Sequence, residues 1–239
     1  MQKVILFDLY DTILRDKSFD FNKGLKYLHT LFQQSCSYEE LIEYSETFIP
    51  FYEERKTTNN EISFIRDDFP MYCKKFNVNL RVDTEILDYQ IMNEMQEESL
   101  EEETRITIEN LHAQGIKMYI LSNSIFLSYS NKHLLNEFGI GKYFINLFSS
   151  ADFGKRKPDK SFFEYAISRI LQENPKVYKK DIIYMGNDYK TDVIGALNVG
   201  LKTIWYNEKE LINSKNLDVC SISKFSDILD VNIHNYMFM

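Results

Sequence analysis

The stretch that decides the fold is Val4-Ile5-Leu6-Phe7-Asp8-Leu9-Tyr10-Asp11-Thr12. The apolar run Val4-Ile5-Leu6 shows no alternation with polar residues, so it reads as a strand buried on both faces, as in a parallel sheet. The run then meets an acid, Asp8. Ligand crevices in open parallel sheets lie outside the carboxyl ends of the strands, so a carboxylate placed there faces a cleft and not a core. A second stretch repeats the pattern far along the chain. Ile182-Ile183-Tyr184 leads into Met185-Gly186-Asn187-Asp188-Tyr189-Lys190-Thr191-Asp192. Acids at two such strand ends point to a carboxylate-centred, metal-assisted site.

Outward from these two segments, the chain changes texture twice. From about residue 104, helix-length and strand-length periods alternate. Strands are expected at 117–121, 143–148, 181–185 and 201–206, and helices at 107–114, 128–138, 161–171 and from about 191 to 200. Gly115 stands where a helix C-cap is needed. Strands separated by helices imply parallel βαβ units. Residues 15–100 contain no convincing buried strand and read as amphipathic helices. Phe21, Leu25, Leu28 and Phe32 recur at helical spacing, and Ile62, Ile65, Phe69 and Tyr72 form another stripe. Ser37 with Glu40 has the form of a capping box, and Asp83 caps a helix through Ile86, Leu87 and Ile91. The expected architecture is α/β: a Rossmann-like, doubly wound parallel sheet with an inserted all-helical cap domain. The core takes residues 1–14 and 101–239, the cap residues 15–100, with hinges near 14–18 and 98–104.

Charge and cysteine content narrow the partners. Asp and Glu outnumber Lys and Arg by 36 to 28 in 239 residues, which disfavours nucleic acid and anionic membranes. The acidic excess gathers in Glu97-Glu98 and Glu101-Glu102-Glu103, read as a solvated helix or hinge. Cys36, Cys73 and Cys220 are odd in number and widely spaced, with no zinc or dithiol pattern. No apolar stretch reaches membrane-spanning length, and the first strand is too short for a signal's apolar region. The expected setting is cytoplasmic, with a small-molecule substrate and a monomer or homodimer.

Four loops hold the candidate chemistry, each after an expected strand: Asp8, Ser122-Asn123-Ser124, Lys157, and Asp188 with Asp192. Each alone has a plain structural role as a turn, cap or solvated side chain. Together they form an inventory for phosphoryl transfer. A carboxylate can act as nucleophile. Mg²⁺ on a few carboxylates neutralises phosphoryl oxygens. A lysine adds positive charge, and a serine hydroxyl orients the oxygens.

These segments resemble the haloacid dehalogenase superfamily of aspartate-nucleophile hydrolases with a helical cap. The resemblance rests on Asp8-Leu9-Tyr10-Asp11-Thr12, Leu121-Ser122-Asn123, Lys157-Pro158-Asp159, Asn187-Asp188 with Asp192, and the flanking Gly195-Ala196 and Gly200. It implies Asp8 as nucleophile, with Tyr10 and Lys157 as the other catalytic residues. It implies Thr12, Ser122, Asn123 and Lys157 as phosphate binders, and Asp8, Tyr10, Asp188 and Asp192 around Mg²⁺. Phosphatases of the family carry a second Asp two residues after the nucleophile, and dehalogenases carry a tyrosine there. Tyr10 therefore follows the dehalogenases, and a phenol with a pKa of about 10 is a proton donor but a poor base. Asp11 is an alternative acid/base, and Asn187 an alternative to Asp188 as metal ligand. The acidic pair of the fourth loop follows the phosphatases, whereas Phe163 stands where dehalogenases tend to have a tyrosine. Arg15, Arg55 and Arg66 are the candidates for a dehalogenase's carboxylate clamp. The leading expectation is a Mg²⁺-dependent phosphatase of a small metabolite. The alternatives are a metal-independent 2-haloacid dehalogenase and a catalytically weak binding or scaffolding protein on the same fold.

Overall fold

The computed structural model describes residues 3–32, 35–211, 219–230 and 236. Six strands form one parallel sheet in the order β5-β4-β1-β6-β7-β8, where β1 is Val4–Phe7, β4 Lys117–Ser122, β5 Phe144–Ser149, β6 Ile182–Gly186, β7 Lys202–Tyr206 and β8 Cys220–Ile222. Successive strand residues face opposite sides. Ile5, Phe7, Ile120, Ile183 and Met185 therefore pack in one core, while Val4, Leu6, Leu121, Ile182 and Tyr184 pack in the other. Two covered faces explain why β1 is apolar at every position.

Strand β1 sits between β4 and β6, which follow it by very different chain distances, so the strand order reverses there. The register pairs Phe7 with Ile120 on one side and with Met185 on the other. The three strands therefore end together. This brings Asp8, Ser122 and Asn187 to one edge at the topological switch point, where such sheets bind ligands.

Among the described residues, the insert 15–100 carries five α-helices: α1 Phe21–Phe32, α2 Tyr38–Glu46, α3 Ile49–Thr58, α4 Phe69–Lys75 and α5 Thr84–Met95. The expected caps are present. Ser37 and Glu40 form the capping box, and Asp83 accepts from the backbone of Glu85 and Ile86. The insert is not helical throughout, however. Its ends pair as a two-stranded antiparallel ribbon, β2 (Arg15–Phe19) with β3 (Gln96–Ser99). Glu97 and Glu98 are therefore strand residues and not part of a helix. The ribbon is mostly exposed, so no apolar alternation marked it in the sequence.

Segment 59–64 lies against the core loops through Arg156 N to Asn59 O, Glu61 N to Gly154 O and Phe64 N to Ile125 O. Asp88 of α5 accepts from Leu127 N and Ser130 Oγ at the start of α7 (Ser128–Glu137). These bonds tie the insert to the core. The sequence-expected helix from about 191 to 200 is a π-turn, Tyr189–Val193, running into the short α10 (Ile194–Asn198). Among the described residues, no helix is long and apolar enough to cross a membrane, and the three cysteines are free.

Candidate active site

Asp8 leaves β1 with its backbone N–H still donating to Met185 O, so the loop begins in sheet register. Asp11 takes the left-handed conformation (φ 55°), its N–H donates to Leu14 O, and the chain turns back sharply. This turn seats the buried Thr12 under the nucleophile candidate. Thr12 Oγ1 lies 3.1 Å from Asp8 Oδ2 and 3.5 Å from Asn187 Oδ1.

The other oxygen of Asp8 meets Lys157. The ammonium is 2% exposed and lies 2.5 Å from Asp8 Oδ1, 2.7 Å from Asp192 Oδ1 and 2.9 Å from Tyr184 Oη. Asn123 fixes the lysine's backbone on both sides, accepting from Lys157 N at 2.7 Å and donating to Lys157 O at 3.1 Å. Asp192 is also held twice more, by Tyr184 Oη at 2.7 Å and by the backbone N–H of Asp188 at 2.9 Å. Gly186 leaves room for this, because a Cβ there would stand 2.5 Å from Asp192 Cγ.

Two carboxylates around one ammonium leave the cluster one negative charge over. Burial, then repulsion from Asp192, push the Asp8 carboxyl up to about 7 against the opposing pull of Lys157. Burial alone would lower the lysine, but Asp192 and Asp8 outweigh it and hold the ammonium above its usual value. Burial and the same two carboxylates push the Tyr184 phenol well above its usual value, so it stays protonated and donates.

Of the sequence-predicted residues, Asp8, Thr12, Lys157 and Asp192 are in direct contact, with Asn123 behind the lysine. Ser122 is fully buried at the end of β4, and its hydroxyl has no partner among the described residues. Tyr10 is engaged elsewhere, its hydroxyl donating to Asn131 Oδ1 at 2.6 Å and accepting from Gln96 Nε2 at 3.0 Å. Asp188 is exposed and caps the π-turn, accepting from Thr191 N at 2.6 Å and Thr191 Oγ1 at 2.9 Å. Asp11 is exposed, and its Oδ1 accepts from Asp16 N at 3.4 Å. The clamp candidates are paired with protein groups: Arg15 with Glu101 and Glu208, Arg55 with Glu61, and Arg66 with Asp152 O. Phe163 packs edge-on against Tyr184 at 5.2 Å. Sequence reasoning missed Tyr184. Its position as the third residue of an apolar strand looked like core, and only its polar tip could have marked it.

Among the described residues, no group of three or more His, Cys, Asp and Glu side chains is arranged as a ready metal cage. Mg²⁺ does not require one, because it keeps several waters and takes one or two carboxylates with substrate oxygens. Asp8 Oδ2 and Asn187 Oδ1, gathered around the Thr12 hydroxyl, are hard-oxygen donors that fit such an ion, whereas Asp188 is turned to Thr191 and Asp192 to Lys157 and Tyr184.

Solved structures of similar shape include a 2-haloacid dehalogenase from Pseudomonas syringae pv. Tomato DC3000 (TM-score 0.65, 21% identity, 98% of this chain and 99% of that one). Another is the putative HAD-hydrolase YfnB from Bacillus subtilis, described as bound to magnesium (TM-score 0.56, 23% identity, 95% and 96%). At these identities the likeness concerns the fold. A glyceraldehyde 3-phosphate phosphatase of Methanothermobacter thermautotrophicus is 26% identical over 134 residues, 54% of this chain and 56% of that protein. The chain thus spans about half the length of the first curated relatives it matches. The model of the haloacid dehalogenase-like hydrolases matches residues 5–206, and the chain belongs to that family.

Proposed function

We propose that this chain is a phosphohydrolase in which Asp8 is the nucleophile toward a small phosphate monoester. The observation that carries the reading is the buried Asp8–Lys157–Asp192 cluster at the sheet edge, a carboxylate with a fixed cation at its side. An Asp8 oxygen attacks phosphorus, the ester P–O bond breaks, and the leaving oxygen takes a proton. Water then cleaves the aspartyl-phosphate to return Asp8 and release phosphate. Lys157 offsets charge on Asp8 and on the phosphoryl group. Asp192 and Asn123 position Lys157. The unpartnered Ser122 hydroxyl supplies a donor for a phosphoryl oxygen, since a buried hydroxyl left unbonded costs about 1–3 kcal/mol. Tyr10 donates the leaving group's proton once its hydroxyl is released from Asn131 Oδ1, which holds it in this structure. Burial raises its phenol above the usual range, so it stays protonated near neutral pH and offers no base for the second step. Asp8 and Asn187 would hold Mg²⁺, which would supply further neutralisation of phosphoryl charge; Asp188 could join them only by leaving Thr191.

Residues 15–100 act in this reading as the cap over residues 1–14 and 101–239, and the enzyme works in the cytoplasm. Phosphate release from a panel of monoesters with Mg²⁺ tests the function. Turnover should fall to background in Asp8→Asn with folding retained, and equal turnover in that variant would refute the assignment.

Tyr10 motivates a second reading, metal-independent dehalogenation. The cavity beside Tyr10, about 690 Å³, is far larger than a short haloacid needs. Chloride release from 2-chloropropionate in EDTA would establish it.

A further inference from the structure

A cavity of about 690 Å³ lies between the insert and the core, next to Tyr10 and Asn123. Aromatic rings from both sides line it, among them Phe21, Phe48 and Tyr52 from the insert and Phe126 from the core. Such walls suit a planar ring. Two arginines also reach it. Arg55 comes from α3, and Arg156 immediately precedes Lys157 in the chain.

Between the two arginines stands one carboxylate. Glu61 is buried and takes Arg55 Nη1 at 2.7 Å, with Arg156 Nε more distant at 3.9 Å. Its second oxygen also accepts from Ser150 Oγ at 2.6 Å. Arg55 Nε and Arg156 Nη1 are buried and have no acceptor among the described residues. Two guanidinium groups against the Glu61 carboxylate leave two donors unmatched; Asp68, the other buried acid acting on Arg55, is bonded by Tyr52 Oη and its carboxyl is raised to about 7 by burial, so below that pH a positive charge is unmatched too. The other acids lining the cavity, Asp16, Glu46 and Glu53, are exposed, where water screens them. Arg55 lies over the Tyr52 ring, 4.9 Å from its centroid, so the excess charge is next to an aromatic wall.

We infer that this cavity binds the part of the substrate remote from phosphorus, and that this part is an aromatic ring carrying a carboxylate, held by Arg55 and Arg156. A planar carboxylate matches the guanidinium fork, and both arginines line the cavity. Nothing in the sequence marked Arg156, and Glu61 stood unremarked beside the apolar stripe that begins at Ile62. The inference extends the phosphatase reading to a substrate class, but binding in this cavity does not require turnover.

The test therefore uses binding and turnover separately. Titration calorimetry with 4-hydroxybenzoate, against its neutral analogue 4-hydroxybenzamide, should show at least tenfold tighter binding of the acid. That preference should collapse in Arg156→Gln and, independently, in Arg55→Gln, with circular dichroism checking each fold. Equal binding of acid and amide by the unaltered protein overturns the inference, whatever its activity. For turnover, 4-carboxyphenyl phosphate should exceed phenyl phosphate in kcat/KM by at least tenfold, and equal values again overturn it. Selective binding of the acid with no hydrolysis of either ester would refute the phosphatase reading alone.

Discussion

Replacing Lys157 by Met keeps the stem's bulk and removes the charge from the most buried ion cluster in the described structure. The ammonium has two carboxylate partners and is 2% exposed. Removing one partner of a buried pair costs about 3–5 kcal/mol, because an uncompensated charge remains. Tyr184 still donates to Asp192 in the variant, so the loss at pH 8.5 is placed near the middle, about 4 kcal/mol. The pH dependence follows from Asp8. Its folded pKa, about 7, lies above the ordinary 3.8, so the ionised form is the disfavoured one. The resulting penalty is absent below about pH 4 and grows as pH rises toward 7. At pH 5 folded Asp8 is already protonated, and Lys157 has one charged partner left to lose. The variant's deficit should then shrink to about 2 kcal/mol. Urea unfolding in Mg²⁺-free buffer measures both. With a slope of about 2 kcal/mol/M, the midpoint should drop by about 2 M at pH 8.5 and about 1 M at pH 5. A deficit under about 1 kcal/mol at pH 8.5, or the same deficit at both pH values, would refute this reasoning.

Three further outcomes follow from other residues. Asp88 is fully buried, with one unpartnered oxygen, and burial raises its carboxyl to about 7. Its penalty grows between pH 4 and 7 by up to three factors of ten at about 1.36 kcal/mol each. The stability of the wild type relative to Asp88→Asn should therefore decline over that interval, and parallel pH profiles would contradict it. Gly186→Ala drives a methyl into Asp192 and should cost both activity and about 1–3 kcal/mol of stability, read by turnover and thermal melting; an unchanged variant would mean that Asp192 has slack. Tyr10→Asp supplies a carboxylate base and should raise turnover of 4-nitrophenyl phosphate by about tenfold or more, and no gain in a folded, Mg²⁺-binding variant would remove Tyr10 as the bottleneck.

The legible parts of the fold were those written in burial. β1 and β6 are apolar at nearly every position because both faces are covered, and the acids that end them stood out against that background. The caps at Ser37 and Asp83 were legible because a side chain bonds its own next turn. The ribbon of β2 and β3 was not, since exposed strands carry no apolar period and Arg15–Phe19 owes its shape to a distant partner strand, Gln96–Ser99. β8 was missed because only its last residue, Ile222, is buried. In the site, residue type located Asp8, Lys157 and Asp192, but direction was invisible. Sequence could not tell that Asp188 turns to Thr191, that Asn123 grips the Lys157 backbone, or that Tyr184 completes the cluster. Those depend on which face of each loop meets the sheet edge.

The central claim is that Asp8 becomes covalently phosphorylated, and Tyr10 makes that species measurable, because a protonated phenol offers no base for its hydrolysis. Acid-quenched reactions with a ³²P-labelled monoester and Mg²⁺, followed by peptide mapping, should place hydroxylamine-labile label on the peptide containing Asp8 and none on Asp8→Asn. Turnover with no label on that peptide, or label that persists in Asp8→Asn, would contradict it.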